Sequence, residues 1–458
     1  DMLKSLQGKV AGVDIRTSQG TPGAATRIQI RGNSSFFGDN QPLIVVDGVP
    51  YSNDQITTSS QTSGGGAYSS GLGNLDPNDI ASMQILKGSA AGALYGSRAS
   101  NGVILITTKS GSGNYQSQPI KATFKSSASV ENVANLPSYQ NSYGAGSQFN
   151  YSNSNGSWGP AFSSLTTIPV WPAYASYFGT ATIPYIAYPN NVKDLFKTGS
   201  VFENSISLTG GGESSSVALT ASKLDQKGYV DNSGYKRTSI GAGGKTTTKF
   251  GLSVGGNLSY TKSNQSGGVF GENQVDGAAS QFARTLFLAR NWDLNLPYEN
   301  NQTPNGGAQF DNPRWSARHN TVDTQEERFV ANVSADMKVY KWINAVIKIG
   351  SNVHSLNRSQ ITDIGSRAAE GVGRIVVDSY RKQEIESTAL LNFDPKIAND
   401  FTLTGTLGFN SNSSKIARQV ETGKQFISPG IFRLTNTAQQ AFTTDNTSER
   451  RLYGVLGE

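Results

Sequence analysis

The sequence contains no cysteine, only two histidines and unusually few charged residues. Without cysteine, a disulfide framework, a thiol nucleophile and a cysteine zinc site are all excluded. His319 and His354 are too few for a histidine-rich metal site. Charged residues make up 16% of the 458 residues, against about 25% in an ordinary soluble protein. We therefore expect no metal site and no cofactor.

Long hydrophobic runs are also missing from the sequence. The longest, such as 102–106, have the length of a strand, which excludes a transmembrane helix. A membrane β-barrel stays possible, because its strands alternate apolar with polar residues and keep the hydropathy low. The 51 glycines and 18 tyrosines fit that option. A net charge of +6 is dilute over this length, and no dense Lys/Arg cluster occurs, so we expect no nucleic-acid partner.

Residues 1–112 predict a small α+β domain. Asp76 is a helix N-cap with Pro77 at the first helical position, and an Asp47-Gly48 turn closes an apolar strand. The predicted helices begin near Met2 and Ala90 as well as at Pro77. The predicted strands are Val13–Arg16, Arg27–Arg31, Leu43–Asp47, Met83–Leu86 and Gly102–Thr108.

Two long motifs in this region resemble a known family. The first comprises Arg27-Ile28-Gln29-Ile30-Arg31-Gly32-Asn33-Ser34-Ser35 and then Asn40-Gln41-Pro42-Leu43-Ile44-Val45-Val46-Asp47-Gly48-Val49-Pro50. The second runs from Leu75-Asp76-Pro77-Asn78-Asp79 through Tyr95-Gly96-Ser97-Arg98 to Lys109. Together they resemble the plug signature of the SusC/RagA-type TonB-dependent outer-membrane transporters of Bacteroidetes. The resemblance implies a plug domain at 1–112.

From Ile120 onward the sequence alternates apolar and polar residues with a period of two. One face is apolar and the other carries Ser, Asn, Thr, Lys and Glu, as in a barrel with lipid outside and water inside. A soluble β-sandwich or solenoid would also alternate. Short and long connections follow one another in turn, which favours the barrel. The predicted turns are Gly211–Ser215, Thr246–Lys249, Tyr340–Lys341 and Ile397–Asp400, and the predicted long loops are 131–200, 262–323, 357–378 and 415–447.

The predicted fold is thus a small α+β plug domain followed by antiparallel transmembrane β-barrel strands over 113–458. We count about ten strands, the first at Ile120–Ser129 and the tenth starting at Glu449–Gly457. A barrel that holds a plug needs about 22 strands, as the resemblance also implies. We therefore expect the chain to be a fragment of a longer polypeptide.

Two short segments match catalytic motifs, but neither lies in the structural context that the motif requires. Gly251-Leu252-Ser253-Val254-Gly255 matches the hydrolase pattern but lies inside an alternating strand rather than at a strand-to-helix elbow. Gly244-Lys245-Thr246 resembles the end of a P-loop, yet Ser239 stands where the first glycine is required. We expect no enzyme.

Candidate substrate-binding residues lie in the plug loops and the long barrel loops. Aromatic faces and side-chain amides are suited to sugar rings or peptide side chains. Alternatively, the aromatic residues only anchor the loops on the barrel wall or pack the loops together. The candidates are Phe36, Phe37, Asn40, Tyr68, Trp292 and Trp315.

Plug and barrel must also hold together reversibly. Arg31 and Lys87 occupy motif positions that resemble the plug-side basic residues of such transporters, and Glu384 and Glu386 are possible carboxylate partners in the barrel. A partly buried pair of this kind is weak evidence for stability but is suited to a lock that a pulling force can break.

The resemblance implies active import of a glycan or peptide across the outer membrane of a Gram-negative bacterium. It also implies a SusD-like surface lipoprotein as a partner, and TonB with ExbB/ExbD acting through a segment that this chain does not contain. Two alternatives stay open, namely a surface-binding or adhesin β-protein without transport, and a transporter with an added signalling role.

Overall fold

The computed structural model describes residues 12–17, 20–30, 32, 40–57, 68–69, 71–87, 95–112, 115–269, 277–304, 310–398 and 401–457. The strands are β1 Val13–Thr17, β2 Thr26–Ile30, β3 Leu43–Val46, β4 Val49–Pro50, β5 Ile80–Leu86, β6 Val103–Thr108, β7 Lys121–Glu131, β8 Thr167–Pro169, β9 Thr182–Pro184, β10 Gly199–Gly210, β11 Ser215–Lys227, β12 Gly234–Thr247, β13 Leu252–Gly268, β14 Thr321–Tyr340, β15 Ile343–Thr362, β16 Arg374–Phe393, β17 Lys396–Ala398, β18 Phe401–Thr402, β19 Gly405–Phe426 and β20 Thr437–Gly457.

The helices in these residues are short. The α-helices are α1 Lys109–Ser112, α2 Ala175–Phe178, α3 Gln281–Leu286 and α4 Pro313–His319. The 3-10 helices are Gly71–Asn74, Pro77–Asp79, Gly96–Ala99, Pro172–Tyr174, Lys193–Leu195, Gly277–Ala279, Arg367–Ala369 and Leu434–Asn436. Within the described ranges, no helix has the length and apolar character needed to cross a membrane.

The N-terminal domain contains a four-stranded sheet in the order β4-β3-β6-β5, with β3 parallel to β6, and a separate β1–β2 hairpin. Its core includes Ile28, Ile44, Ile104 and Ile106, each no more than 2% exposed. All five predicted strands are present, with ends within three residues of those predicted. The helices predicted near Met2 and within 90–94 lie outside the described residues.

The helix predicted at Asp76 is only one 3-10 turn. The Asp76 side chain accepts from the Asn78 amide, as expected of an N-cap, and Pro77 follows it. Strand β5 then begins at Ile80, three residues earlier than predicted. The pairing of β5 with β6 shifts register between Ile80 and Ser82, and this irregularity interrupts the alternation that marks a strand in the sequence.

The second part of the chain forms one ten-stranded antiparallel sheet. Its order is β7-β10-β11-β12-β13-β14-β15-β16-β19-β20, so each strand pairs with its neighbours along the chain except for the small hairpins β8–β9 and β17–β18. The prediction of about ten strands is confirmed. The two longest connections, 132–198 and 269–320, lie at the same end of this sheet as 228–233, 363–373 and 427–436. The other end carries 211–214, 248–251, 341–342 and 394–404.

Several predicted boundaries in this sheet are wrong. Residues 415–447 were expected to form a loop, yet β19 and β20 leave only 427–436 between them. The tenth strand accordingly starts at Thr437 and not at Glu449. Strand β19 has 22 residues, about 70 Å at roughly 3.3 Å per residue, and so far exceeds an apolar band about 25 Å tall. Its distal part has polar residues on the outer face and places Ile416, Val420 and Phe426 on the inner face, which is the reverse of the alternation used to recognise the strands.

The other connections follow the predictions with smaller differences. Strands β10 and β11 are joined by 211–214, β12 and β13 by 248–251, and β14 and β15 by 341–342. The turn predicted at Ile397–Asp400 is part of a longer connection, 394–404, that contains the β17–β18 hairpin.

The two faces of the sheet have opposite character. The outer face exposes apolar side chains such as Phe329 and Val333, which are 42% and 60% exposed. The inner face buries polar and charged side chains, among them Arg237, Glu326 and Asp378. This is the arrangement expected for lipid outside and a polar filling inside. The N-terminal domain lies against the inner face.

The two longest connections, 132–198 and 269–320, pack on each other through a second apolar core. We call it the loop core; its buried members include Ile168, Trp171, Tyr174, Trp292, Leu294 and Phe310. The described parts of these connections are therefore structured and have their own interior.

A charge on the outer face should interfere with membrane insertion. Val333 lies in the middle of the apolar outer residues of β14, so Val333→Arg should cost about 2–4 kcal/mol of folding free energy in lipid bilayers. The measurement is equilibrium unfolding in bilayers. The matched control is Ser334→Arg, which places the same charge on the opposite face; an equal loss for both variants would contradict the assignment of faces.

Candidate functional site

The region where the N-terminal domain meets the inner face of the sheet carries most of the buried polar chemistry of the described residues. The turn Gly71–Asn74 lies at its centre. Tyr235 Oη donates to the carbonyl of Gly73 at 2.8 Å, and Arg328 Nη1 donates to that of Gly71 at 3.1 Å. A Cβ atom at Gly71 would lie 1.9 Å from the carbonyl oxygen of Ser52, so only glycine allows this close approach.

Glu326 is a buried carboxylate that both parts of the chain satisfy. It accepts from the Ser69 hydroxyl and, at 2.5 Å, from Asn74 Nδ2, both on the N-terminal domain. His354 Nε2, on the neighbouring strand, lies 3.1 Å from Glu326 Oε2, the oxygen that also accepts from Asn74. Ser263 Oγ donates to Asn74 Oδ1 at 2.6 Å. Because Glu326 is 3% exposed, these contacts replace the water that would otherwise solvate its charge.

Arg237 connects the cap of the short 3-10 helix to the barrel wall. Its guanidinium donates to the carbonyl of Leu75 at 3.0 Å and to Asp76 Oδ1 at 3.4 Å. Arg237 Nη2, which donates to Asp76, also donates to Glu203 Oε1 at 3.2 Å. Asn78 Nδ2 donates to the same Glu203 oxygen at 3.0 Å. Arg237 is 5% exposed and depends on these acceptors.

The Asp47-Gly48 turn forms a further contact. Both residues have left-handed backbone angles, with φ of 50° and 88°, as predicted for a tight Asp-Gly turn. Asp47 Oδ2 accepts from Asn257 Nδ2 at 2.5 Å, and its carbonyl oxygen accepts from Asn332 Nδ2 at 3.1 Å. Burial raises the pKa of Asp47, while Thr108 and Asn257 oppose the shift through hydrogen bonds.

Glu386, one of the two carboxylates predicted to hold the plug, forms an ion pair with Arg98. Its two oxygens accept from Arg98 at 2.9 and 3.3 Å, a bidentate pair with side-chain exposures of 7% and 16%. Asn410 and Asn412 also donate to this carboxylate. Glu384 accepts from Asn412 at 3.0 Å.

Among the described residues, Arg98 is the plug-side cation that pairs with Glu386, and the roles of Arg31 and Lys87 stay predictions. Arg31 lies outside the described residues, and Lys87 directly follows β5. Arg98 belongs to the second plug motif, but in the sequence it lies 288 residues from Glu386. No local pattern connects the two.

The structure separates the remaining candidate residues. Phe36 and Phe37 lie outside the described residues, and Asn40 is half-buried. Tyr68 is 3% exposed, and the Arg358 guanidinium lies 4.5 Å from the centre of its ring. Its binding role stays a prediction.

Trp292 and Trp315 do not turn their rings to solvent. Trp292 is 2% exposed within the loop core, and Trp315 is 4% exposed and stacks on His319 with ring centres 4.5 Å apart. Their position fits the alternative in which such residues pack the loops together. A role in substrate binding stays untested for both.

Comparison with known proteins identifies the two parts. Residues 1–103 match the family model of the TonB-dependent Receptor Plug Domain. Over 106 residues the chain is 46% identical to the TonB-dependent receptor SusC of Bacteroides thetaiotaomicron, which covers 23% of this chain and 10% of that protein. Over 274 residues it is 29% identical to the TonB-dependent receptor P26 of Formosa agariphila, which covers 58% of this chain and 24% of that protein.

The fold extends this similarity through the barrel strands. A structure of the RagAB peptide importer in its open-open state superposes with a TM-score of 0.72 at 21% identity, over 98% of this chain and 49% of that one. Together these similarities show a TonB-dependent receptor plug domain over residues 1–103 and support a receptor of the SusC/RagA type. The N-terminal domain is therefore called the plug, and the ten-stranded sheet is called the barrel wall. The chain spans about half the length of that importer chain and less of the curated relatives.

Sequence reasoning missed most of this interface. Arg237, Arg328 and Asn257 are central to it, yet each looks like an ordinary polar residue of an alternating strand. The available signal was their place on the polar face of the sheet, which marks them as inner-face residues without naming their plug partners.

Asp79 of the plug gives the interface a pH dependence. It is 5% exposed, accepts from Ser110 Oγ at 3.1 Å, and lies so close to β12 that a Cβ at Gly241 would be 2.9 Å from its Oδ2. Burial raises its pKa to about 6, although hydrogen bonds from Ser110 and Thr220 oppose the shift.

The raised pKa means that the docked plug favours protonated Asp79. This contribution is complete below the unfolded value near 3.8 and is lost as the pH rises through about 6. Asp79→Asn should therefore stabilise the docked plug at pH 7.5 by up to about 3 kcal/mol and change little at pH 4. Urea-induced plug unfolding, followed by proteolysis, is the measurement.

Asp76→Asn is the matched control for Asp79→Asn. Asp76 pairs with Arg237, so this variant should destabilise the plug at pH 7.5. Equal effects of the two substitutions would show that Asp79 is not the responsible group.

Proposed function

We propose that this receptor takes part in TonB-dependent import of a glycan or peptide across the outer membrane, with the plug closing the barrel until it is pulled. The observation that carries the proposal is the chemistry of the plug–barrel interface. A domain fixed permanently in a barrel would favour apolar packing, whereas here the contacts are mostly hydrogen bonds and ion pairs. Water can replace each of these groups once the plug moves.

Arginines of the barrel supply many of the contacts, and they donate to backbone carbonyls of the plug. Arg328 donates to Ser52 at 2.9 Å in addition to Gly71, and Arg418 donates to Thr57 at 2.6 Å. When the plug chain is extended, its backbone carbonyls move away from the barrel arginines that donate to them. A force on the plug can therefore break these bonds one after another.

The Arg98–Glu386 pair is the proposed lock. It joins plug and barrel through two short contacts in a mostly buried setting. Such a pair is costly to break on one side only, because the remaining charge then loses its partner in a site of low polarity.

Partners and location follow from the same proposal. TonB, driven by ExbB/ExbD, would supply the force, and a SusD-like lipoprotein would deliver the substrate at the long-loop end. Phe36, Phe37, Asn40 and Tyr68 stay the candidate plug residues for binding. The location would be the outer membrane of a Gram-negative bacterium. An adhesin without transport would not need a plug held by replaceable contacts.

Uptake in a TonB-deficient strain is the decisive experiment. Cells that carry the full-length receptor should take up labelled substrate only when TonB is present. Uptake that persists without TonB would contradict the proposal, and surface binding without uptake in either strain would favour an adhesin.

Breaking the lock should increase the leak through the barrel. Arg98→Ala removes a mostly buried partner of Glu386, a change that costs about 3–5 kcal/mol in comparable pairs, so the full-length pore should show higher conductance in planar bilayers. The double variant Arg98→Ala/Glu386→Gln should restore part of the closure, since no charge is left unpaired.

The outer-face pair Lys262–Glu327 provides the control for the lock. Its atoms are 3.0 Å apart, but both side chains are about 40% exposed and neither faces the plug. Lys262→Ala should leave the conductance unchanged. An unchanged leak in Arg98→Ala would remove the lock from the proposal without affecting TonB dependence.

A further inference from the structure

Most of the long connection between β7 and β10 is free of formal charge; its charged residues, Lys193, Asp194 and Lys197, lie at its C-terminal end. Residues 132–192 contain no Asp, Glu, Lys, Arg or His over 61 positions, while the chain as a whole is 16% charged. Twelve of the 61 are Phe, Trp or Tyr, and most of the polar residues are Asn, Gln, Ser and Thr. A loop of this size without a single charge favours a ligand that is itself neutral.

Within this connection, residues 142–162 form a compact hairpin, which we call the aromatic hairpin. Phe162 N donates to the carbonyl of Ser142 at 3.0 Å, and Gly159 N donates to that of Gly144 at 3.0 Å. Phe149 N donates to the carbonyl of Trp158 at 2.9 Å. These bonds join the two arms along their length.

Glycines allow the arms of the aromatic hairpin to approach closely. A Cβ at Gly146 would lie 2.0 Å from the carbonyl oxygen of Asn150, and one at Gly159 would lie 1.9 Å from that of Ala145. Gly144 packs on the hydroxyl of Tyr185 in the loop core, where a Cβ would approach to 2.5 Å. The hairpin is therefore fixed to the loop core in one shape.

The tip of the hairpin displays aromatic rings at a conformational cost. Gln148 and Phe149 both have left-handed backbone angles, with φ of 50° and 61°, in a turn closed by hydrogen bonds between Ser147 and Asn150. Left-handed non-glycine residues are strained and persist where the surroundings enforce them, often at ligand sites. Phe149 is 63% exposed at this strained position.

Two further rings complete the exposed surface. Trp158 is 72% exposed beside Phe149, and the ring of Tyr143 lies 5.9 Å from that of Phe149. Ser147, Gln148 and Asn150 around them are also exposed. Exposed aromatic rings in a rigid setting, with amides and hydroxyls beside them, form a binding surface that pays little ordering entropy.

We propose that the aromatic hairpin is a capture site for an uncharged oligosaccharide at the long-loop end of the receptor. Ring faces of Trp158, Phe149 and Tyr143 would pack on the C–H faces of sugar rings, and the neighbouring amides would bond the hydroxyls. A peptide or an acidic glycan carries charges for which residues 132–192 offer no partner. The inference rests on the proposed import function and chooses between its two substrate classes.

The binding test uses cells that carry the full-length receptor without the lipoprotein, and copurification of the lipoprotein is measured in cells that carry both. The probes are fluorescent neutral gluco-, manno- and xylo-oligosaccharides, with oligogalacturonate and a tryptic peptide mixture for comparison. At least one neutral probe should bind. Trp158→Ala and Phe149→Ala should each weaken its binding about tenfold.

Tyr177→Ala is the matched control. Tyr177 lies on α2 of the same connection and is 59% exposed, but it is not part of the hairpin. This variant should bind as the unchanged receptor does. Heat-modifiable migration on gels checks that all variants fold.

Four outcomes would overturn the inference. They are binding of none of the neutral probes, preferred binding of the peptides or of oligogalacturonate, neutral binding that Trp158→Ala leaves intact, and loss of lipoprotein copurification with saccharide binding preserved. The last would make the hairpin a protein-docking surface. TonB-dependent uptake, measured in parallel, stays unaffected if only this inference fails and is lost if the import proposal fails.

Discussion

The rest of the structure depends on one constraint: the charged side chains buried on the inner face of the barrel need hydrogen-bond or ion-pair partners. A guanidinium such as that of Arg237 or Arg328 cannot be buried alone without a cost of several kcal/mol. In this receptor the acceptors come from the plug, at Leu75, Gly71 and Ser52. The inner face and the plug are therefore complementary halves of one hydrogen-bonded interior.

This constraint explains why the distribution of polar and apolar side chains on the sheet is the reverse of that in a soluble protein. Its apolar side chains lie outside, where lipid is the matching solvent, and its polar side chains lie inside, where plug or water can satisfy them. An interior of this kind closes firmly when the plug is docked. Water would also suit most of its groups without the plug, because few of them, such as Val330 and Leu356, are apolar.

The long loops follow a different rule. They bury their own apolar residues in the loop core, so they behave as a small folded layer at one end of the sheet. Trp292 belongs to that core, while Trp158 of the opposite loop stays at the surface. Two tryptophans that look alike in the sequence therefore have different tasks, and burial decides which is available to a ligand.

The sequence is sufficient for the α+β domain followed by antiparallel strands, for the approximate number of strands and for the side of the sheet on which residues of the alternating segments lie. These properties are local, because alternation with period two and turn residues such as Asp47-Gly48 act over a few positions. The strand ends of β19 and β20 and the pairing of Glu386 with Arg98 depend on the tertiary structure. Above the apolar band the outer face is polar, so the alternation that marks a membrane strand is lost there, and contacts between residues 288 positions apart depend on how the plug docks.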